Sequence, residues 1–197
     1  MTLRTTPALL VACCLLAISS RTGAAGTAAA EDWPARGRAL ADRLMGELKG
    51  ELQQSLHEGG PVAAIEVCRT RAPAIAAQLS TESGAQVRRT ALRVRNPANA
   101  PDELERKVLL QFQDELATQP QPPGVAEAVF ELRTPGGIEH RYMRAIVLQP
   151  PCTLCHGKAI APEVAAAIER LYPDDAATGF EPGDLRGAVT IRWPAGQ

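Results

Sequence analysis

The chain has 197 residues, with 21 basic and 22 acidic side chains and a formal net charge of −1. This balance provides none of the excess positive charge with which proteins bind nucleic acid or an anionic membrane surface. Aromatic residues make up only 4% of the chain. The core therefore has to be packed mainly from small and aliphatic side chains, unless a bound group supplies apolar bulk.

The first 30 residues have the pattern of an export signal. Arg4 supplies the positive start, and residues 8–18 form an apolar stretch that is too short to cross a bilayer. Small residues at 28–30 then form a typical cleavage site. We expect residues 1–30 to be removed as a signal peptide, which predicts a periplasmic location.

Residues 10–13 also resemble a lipoprotein box that ends at Cys13. The apolar run continues past this cysteine, so cleavage after Ala30 is the favoured prediction over lipid anchoring. Residues 31–197 then have the length of a single domain with one core. They contain no further stretch that is long and apolar enough to span a membrane.

Two helices are predicted at the start of the mature chain. Leucines recur every four residues over 35–57, which indicates an amphipathic helix that ends at the following pair of glycines. Pro61 begins a second helix, and its apolar stripe places Cys68 toward the interior. Pro73 lies within this stripe and is expected to kink or restart the helix.

The rest of the chain predicts alternating strands and helices that end in a strand. The expected elements are a strand at 86–95, a helix capped by Asn99 that runs to about Leu116, a hairpin with strands at 129–134 and 138–148, a helix at 161–172 and a strand at 188–193. This order favours an α+β fold in which an antiparallel sheet is flanked by helices, rather than a parallel α/β fold.

The most specific motif is Cys152-Thr153-Leu154-Cys155-His156, a C-x-x-C-H sequence. Two thiols at this spacing can add to the two vinyl groups of one haem, and the histidine that follows is placed to ligate the iron. A redox C-x-x-C pair lies in a βαβ unit, and a zinc site needs further cysteines or a histidine pair. The sequence shows neither pattern here, so the motif predicts one covalently attached haem c.

The residues alone leave the second axial ligand of this haem open. Signal cleavage leaves Cys68 as an odd thiol in an oxidising compartment, where it needs burial or coordination to a metal. Histidines in a surface or sheet-face pattern and methionines that fill a core are weaker candidates. The full set of candidates is Cys68, His57, His140, Met45 and Met143.

Four arginines crowd the predicted strand at 86–95, namely Arg88, Arg89, Arg93 and Arg95. Alternation along a strand would place the last three on one face. Guanidinium groups suit the propionates of a haem, because they donate paired hydrogen bonds to carboxylates. A solvated sheet face is the alternative interpretation.

Four segments of the chain resemble, in order, a family of exported single-haem c-type proteins with a PAS-like fold and no known function. The matching segments are 64–76, 88–101, 152–157 and 183–188, within a resemblance that spans about residues 36–193. The resemblance implies a PAS-like antiparallel sheet flanked by helices. It also implies that the motif histidine and a cysteine on an early helix hold the iron, which are His156 and Cys68 here.

These features predict a non-enzymatic periplasmic protein that carries one haem and acts in one-electron transfer or redox sensing. A gas- or redox-sensing module that acts on a separate signalling partner is the alternative. A haem peroxidase is a third hypothesis, but the sequence nominates no distal acid–base group. The sequence identifies neither the redox partner nor the oligomeric state.

Overall fold

The computed structural model describes Met1, residues 32–118 and residues 125–196. The predicted signal peptide beyond Met1 therefore lies outside the described residues. In the described part, four strands form one antiparallel sheet, and helices pack on both of its faces. The prediction of an α+β fold with an antiparallel sheet flanked by helices is confirmed.

The elements follow the predicted order along the chain. The helices are α1 (Trp33–Glu66), α2 (Ala72–Ser83), α3 (Glu103–Thr118), α4 (Thr153–His156) and α5 (Pro162–Leu171). The strands are β1 (Gln86–Thr90), β2 (Glu127–Thr134), β3 (Gly137–Val147) and β4 (Leu185–Trp193). Their spatial order is β1-β4-β3-β2, with every neighbouring pair antiparallel. The C-terminal strand therefore lies inside the sheet and joins β1 to the β2–β3 hairpin.

Helix α1 consists of two helical segments that meet at Gly60. Gly60 has φ 71° and ψ −173°, a conformation that is open to glycine and strained for other residues. The helix bends there and resumes at Pro61, which has no amide hydrogen to donate across the bend. The glycine pair therefore ends the first helical segment and Pro61 begins the second, as predicted.

A wide turn follows α1 and carries the early cysteine. Residues Val67–Arg71 form a π-helical turn, and Pro73 lies in the first turn of α2. The proline therefore restarts the helix, as predicted. Single π-helical turns insert an extra residue into a helix and are frequent at functional sites.

Strand β1 ends earlier than the sequence predicted. It stops at Thr90, and the expected continuation to Arg95 is wrong. The amide of Ala91 donates to the carbonyl of Asn99, 3.3 Å away, instead of continuing the ladder with β4. Gly187 of β4 lies so close that a Cβ on it would be 2.4 Å from the Thr90 carbonyl oxygen. The chain therefore turns away from the sheet at this point.

Helix α3 also has a different cap from the predicted one. Asn99 belongs to a 3-10 turn, so it does not cap the helix. Asp102 takes this role, because its carboxylate accepts from the Glu105 amide at 2.8 Å and its own amide donates back to Glu105 at 3.0 Å. This reciprocal pair is a capping box.

Two cores occupy the two faces of the sheet. On one face, α1 and α2 bury aliphatic residues against Tyr142, Val189 and Ile191. On the other face, Phe112 of α3 packs with its neighbours against Met143. Since the first face also borders the segment that contains the C-x-x-C-H motif, α1 and the sheet enclose the space where that motif lies.

Close packing between α1 and the sheet gives a test of the fold. A Cβ added to Gly37 would lie 2.3 Å from Cγ of the buried Tyr142. Overpacking of this kind costs about 1–3 kcal/mol. We expect Gly37→Ala to lower the free energy of unfolding by this amount in urea titrations.

Gly46 is the matched control, because it lies in the same helix with no atom within 4 Å of an added Cβ. Gly46→Ala should raise the free energy of unfolding by about 0.5–1 kcal/mol through helix propensity. If both substitutions raised the free energy of unfolding equally, this result would contradict the packing of α1 on the sheet.

Candidate functional site

A cavity of about 280 Å³ lies between α1, the sheet and the motif segment. Most of its wall is aliphatic, and the wall includes the exposed side chains of Val125 and Leu154. Cys68, Cys152, Cys155 and His156 all line this cavity. The structure therefore brings the four haem-binding residues predicted from the sequence to one cavity.

The motif is held in two short consecutive turns. Pro150–Cys152 form a 3-10 turn, and α4 adds a single α-helical turn. The Thr153 hydroxyl links the two turns, because it donates to the Pro150 carbonyl at 2.7 Å. Residues three apart lie on the same side of a helix, so Cys152 and Cys155 both face the cavity. Both thiols are free. Burial raises the pKa of Cys155, and the charge of Arg95 opposes that shift.

His156 is presented as a neutral ligand. Its Nδ1 lies 2.7 Å from the Ala177 carbonyl, so Nδ1 carries the hydrogen and Nε2 keeps its lone pair. Arg186 Nε lies 3.3 Å from the same Nδ1, which is a contact and not a hydrogen bond because Nδ1 already donates. Burial, with the charges of Arg186 and Arg95, lowers the pKa of His156 to about 2.

A buried ion pair fixes the position of the motif. Arg95 donates from Nε and Nη2 to the Asp175 carboxylate at 3.1 and 3.0 Å, and both side chains are only 7% exposed. Nη2 also donates to the carbonyls of Cys155 at 2.7 Å and Ala177 at 3.3 Å. Arg95 therefore joins α4 to the segment whose carbonyl orients His156.

Of the candidate second ligands, two reach the cavity. Cys68 is half-buried in the π-helical turn and lines the wall, and Met45 of α1 lines it as well. His57 is exposed, as predicted. His140 stacks on Trp33 with ring centroids 4.3 Å apart, and Met143 is buried against α3. The structure therefore leaves two candidates for the second axial ligand, the thiol of Cys68 and the thioether of Met45.

The arginines of the predicted strand separate into different environments. Arg89 lines the cavity, as does the ion-paired Arg95. Arg88 pairs with the buried Glu105, away from the cavity wall. Arg93 is exposed and donates to the carbonyls of two loop residues. The expectation that Arg89, Arg93 and Arg95 share a strand face is wrong, because the strand ends before the last two.

The sequence analysis assigned no role in the site to Arg186. This residue lies near the start of β4, lines the cavity and contacts His156. Burial and the nearby charges of Arg95 and Arg89 lower the pKa of Arg186 to about 10. Its only sequence signal was its place in the matched segment 183–188, since no local pattern shows that this strand ends beside the motif.

The donor set suits the haem predicted from the sequence. Two free thiols three residues apart could form its thioethers, and the neutral His156 offers Nε2 as an iron ligand. The aliphatic wall suits a flat apolar ring, and Cys68 provides a soft sulfur donor. The described residues contain no cluster of three or more His, Cys, Asp and Glu side chains that could form a protein-only metal site.

Comparison with known proteins identifies the family of the chain. Residues 21–194 match the Tll0287-like family. The chain belongs to this family. The crystal structure of the cyanobacterial heme-protein Tll0287 matches with a TM-score of 0.57 and 28% sequence identity, over 83% of this chain and 94% of that one. No curated protein matches the chain.

Membership of the Tll0287-like family confirms the family resemblance stated from the sequence. It places the C-x-x-C-H cavity in a family that includes a solved haem protein. Across residues 32–118 and 125–196, none of the helices combines the length and the apolar character that crossing a membrane requires.

The Arg95–Asp175 pair provides a test of how the site is held. Asp175→Ala leaves a guanidinium buried without its carboxylate, which costs about 3–5 kcal/mol. We expect that loss in the free energy of unfolding measured by chemical denaturation. Lys107→Ala removes an exposed pair with Glu103 and should change stability very little. Equal effects of the two substitutions would show that the buried pair does not hold the motif.

Proposed function

We propose that this chain is an exported, periplasmic protein that binds one haem c and acts in one-electron transfer or redox sensing, without enzymatic activity. Thioethers at Cys152 and Cys155 would attach the haem, and His156 and Cys68 would ligate the iron. The observation that carries the proposal is the convergence of these four side chains on one largely aliphatic cavity.

Each of the four residues has a separate task in this proposal. The thiols of the motif anchor the group, and the Ala177 carbonyl holds the imidazole ring of His156 in the tautomer that leaves Nε2 free. When bound, the haem supplies a one-electron ferric–ferrous couple. A thiolate at Cys68 places negative charge on the cavity wall and favours the ferric state, so we expect a low reduction potential.

Family membership supports haem binding, since the solved relative is a heme-protein. The cavity wall supports a carrier or sensor over a peroxidase. Among the described residues that line it there is no carboxylate, and His156 is its only histidine. A peroxidase needs a distal acid–base group beside the iron, and two sulfur side chains occupy the candidate positions instead.

One observation favours sensing as a second candidate function. Cys68 lies in the π-helical turn between the Gly60 kink and Pro73, where the helix is interrupted on both sides. A ligand on such a segment can leave the iron with little change to the rest of the fold. Release of Cys68 on reduction would open a site for a gas and would signal to a separate partner protein.

Covalent attachment is tested by replacing both motif cysteines with serine. Expressed in a host with cytochrome maturation, the parent should keep haem after denaturation, and its mass should exceed that of residues 31–197 by one haem. Cys152→Ser/Cys155→Ser should lose both properties, because serine forms no thioether. Cys68→Ser is the control and should keep its covalent haem. A colourless parent of polypeptide mass alone would reject the proposal.

The second axial ligand is tested by comparing the two sulfur residues in the cavity. Cys68→Ser should remove the low-spin thiolate absorption of the ferric protein and let the ferrous protein bind carbon monoxide readily, because a neutral hydroxyl is a weak ligand. Met45→Leu keeps the volume and removes the thioether. Its spectrum should match that of the parent.

The reverse outcome, an unchanged Cys68→Ser spectrum and a changed Met45→Leu spectrum, would assign the ligand to Met45. Spectra of the parent also separate the two candidate functions. Exclusion of carbon monoxide from the reduced parent supports a carrier, and ready binding supports a sensor with a releasable Cys68.

A further inference from the structure

The cavity wall carries more positive charge than the carboxylates of this chain neutralise. Its wall includes five basic side chains and no carboxylate among the described residues. Two of the five are paired from outside the wall, since Arg95 pairs with Asp175 and Arg144 with Asp42. A third, Lys49, is exposed to solvent. Arg89 and Arg186 remain, and neither forms an ion pair with any described carboxylate.

These two arginines lie on neighbouring strands. Arg89 is in β1 and pairs in register with Val189 of β4, and Arg186 lies three residues earlier in β4. Arg186 donates from Nη1 to the Arg93 carbonyl at 3.2 Å, and its guanidinium lies 5.7 Å from the centre of the Phe180 ring. Both side chains are partly buried. The charge of Arg89 also contributes to the lowered pKa of Arg186, so the two guanidinium groups lie close enough to repel each other. An anion that enters the cavity between them would relieve this repulsion.

We propose that Arg89 and Arg186 form the anion-binding site of the cavity and hold the two propionate groups of the haem. This inference rests on the proposed function and adds the residues that recognise the acidic edge of the porphyrin. Planar guanidinium groups bind carboxylates through two parallel hydrogen bonds, so one arginine can hold each propionate.

The charges of the proposed assembly balance. Two propionates neutralise the two arginines, and a thiolate at Cys68 neutralises the single positive charge of a ferric porphyrin core. A neutral Cys68 or a neutral Met45 would leave the buried assembly with one excess positive charge. The arginines and the thiolate are therefore complementary parts of one electrostatic arrangement.

A different role for Arg89 has to be separated from this one. Burial lowers the pKa of Arg89 and the interaction with Cys68 opposes that shift, so the two groups lie close enough to interact. If Arg89 served the thiolate instead of a propionate, its removal would change the iron–sulfur bond. Removal of an arginine that binds a propionate would change the propionate vibrations. Removal of an arginine that serves the thiolate would change the thiolate absorption band.

The first experiment uses the intact holoprotein. Resonance Raman spectra report the bending modes of the propionates, which shift when a hydrogen-bond donor is removed. We expect these modes to shift in Arg89→Gln and in Arg186→Gln, and to return toward the parent value in Arg89→Lys, which restores the charge. Arg43→Gln removes a half-exposed arginine of α1 and should leave them unchanged.

Unshifted propionate modes in both variants would overturn the proposal. So would an Arg89→Gln variant in which only the thiolate absorption changes, because Arg89 would then serve Cys68. In either case the haem would still be present, so the proposed function would survive. The proposed function would fail instead if the parent protein contained no haem.

The second experiment compares haemin with its dimethyl ester, in which both propionates have lost their charge. The full chain with Cys152→Ser/Cys155→Ser binds added haem without thioethers, and titration gives its affinity. Adding Arg89→Gln or Arg186→Gln should weaken haemin binding by about tenfold each, as the loss of one charge-assisted hydrogen-bonded contact predicts. Binding of the ester should hardly change.

Equal weakening for haemin and for its ester would show that the arginines only maintain the shape of the cavity, and would overturn the proposal. If the serine variant fails to bind any haem, the Raman comparison on the covalent holoprotein decides the question alone.

Discussion

The site depends on one buried ion pair, that between Arg95 and Asp175. Helix α4 is a single turn, and so short a helix is not stable by itself. Arg95 binds the carbonyl of Cys155 inside this turn and also the Asp175 carboxylate, while Asp175 accepts from the amide of Ala177 at 2.9 Å. The Ala177 carbonyl in turn orients His156. One guanidinium thus fixes the motif, its histidine and the tautomer of the imidazole.

The part of the cavity wall that carries Cys68 is formed where the regular helix is interrupted. The kink at Gly60, the π-helical turn and the restart at Pro73 together bring Cys68 to the cavity, while the leucine stripe of α1 stays packed on the sheet. Cys68 therefore lies on a locally adjustable segment, whereas His156 lies on a segment held by buried polar contacts. If Cys68 ligates the iron as proposed, this difference gives a physical reason why that ligand, and not the histidine, would respond to a change in the iron.

The sequence predicted what depends on local pattern. The leucine stripe, the β2–β3 hairpin and the C-x-x-C-H motif all lie within short stretches whose spacing reveals their structure. The end of β1 depended on Asn99 and Gly187, which no local periodicity connects to Thr90. Likewise, Asp175 lies 80 residues from Arg95, so the charges that remain unpaired in the cavity became visible only in three dimensions.

On the proposed function, the cavity would hold iron between one nitrogen and one sulfur of the protein. X-ray absorption at the iron edge of the ferric holoprotein tests it most directly, because it counts sulfur and nitrogen neighbours separately. We expect one sulfur together with five nitrogens, four from the porphyrin and one from His156. A shell of nitrogen and oxygen alone would contradict the account, as would a sulfur shell that persists when Cys68 is replaced by serine.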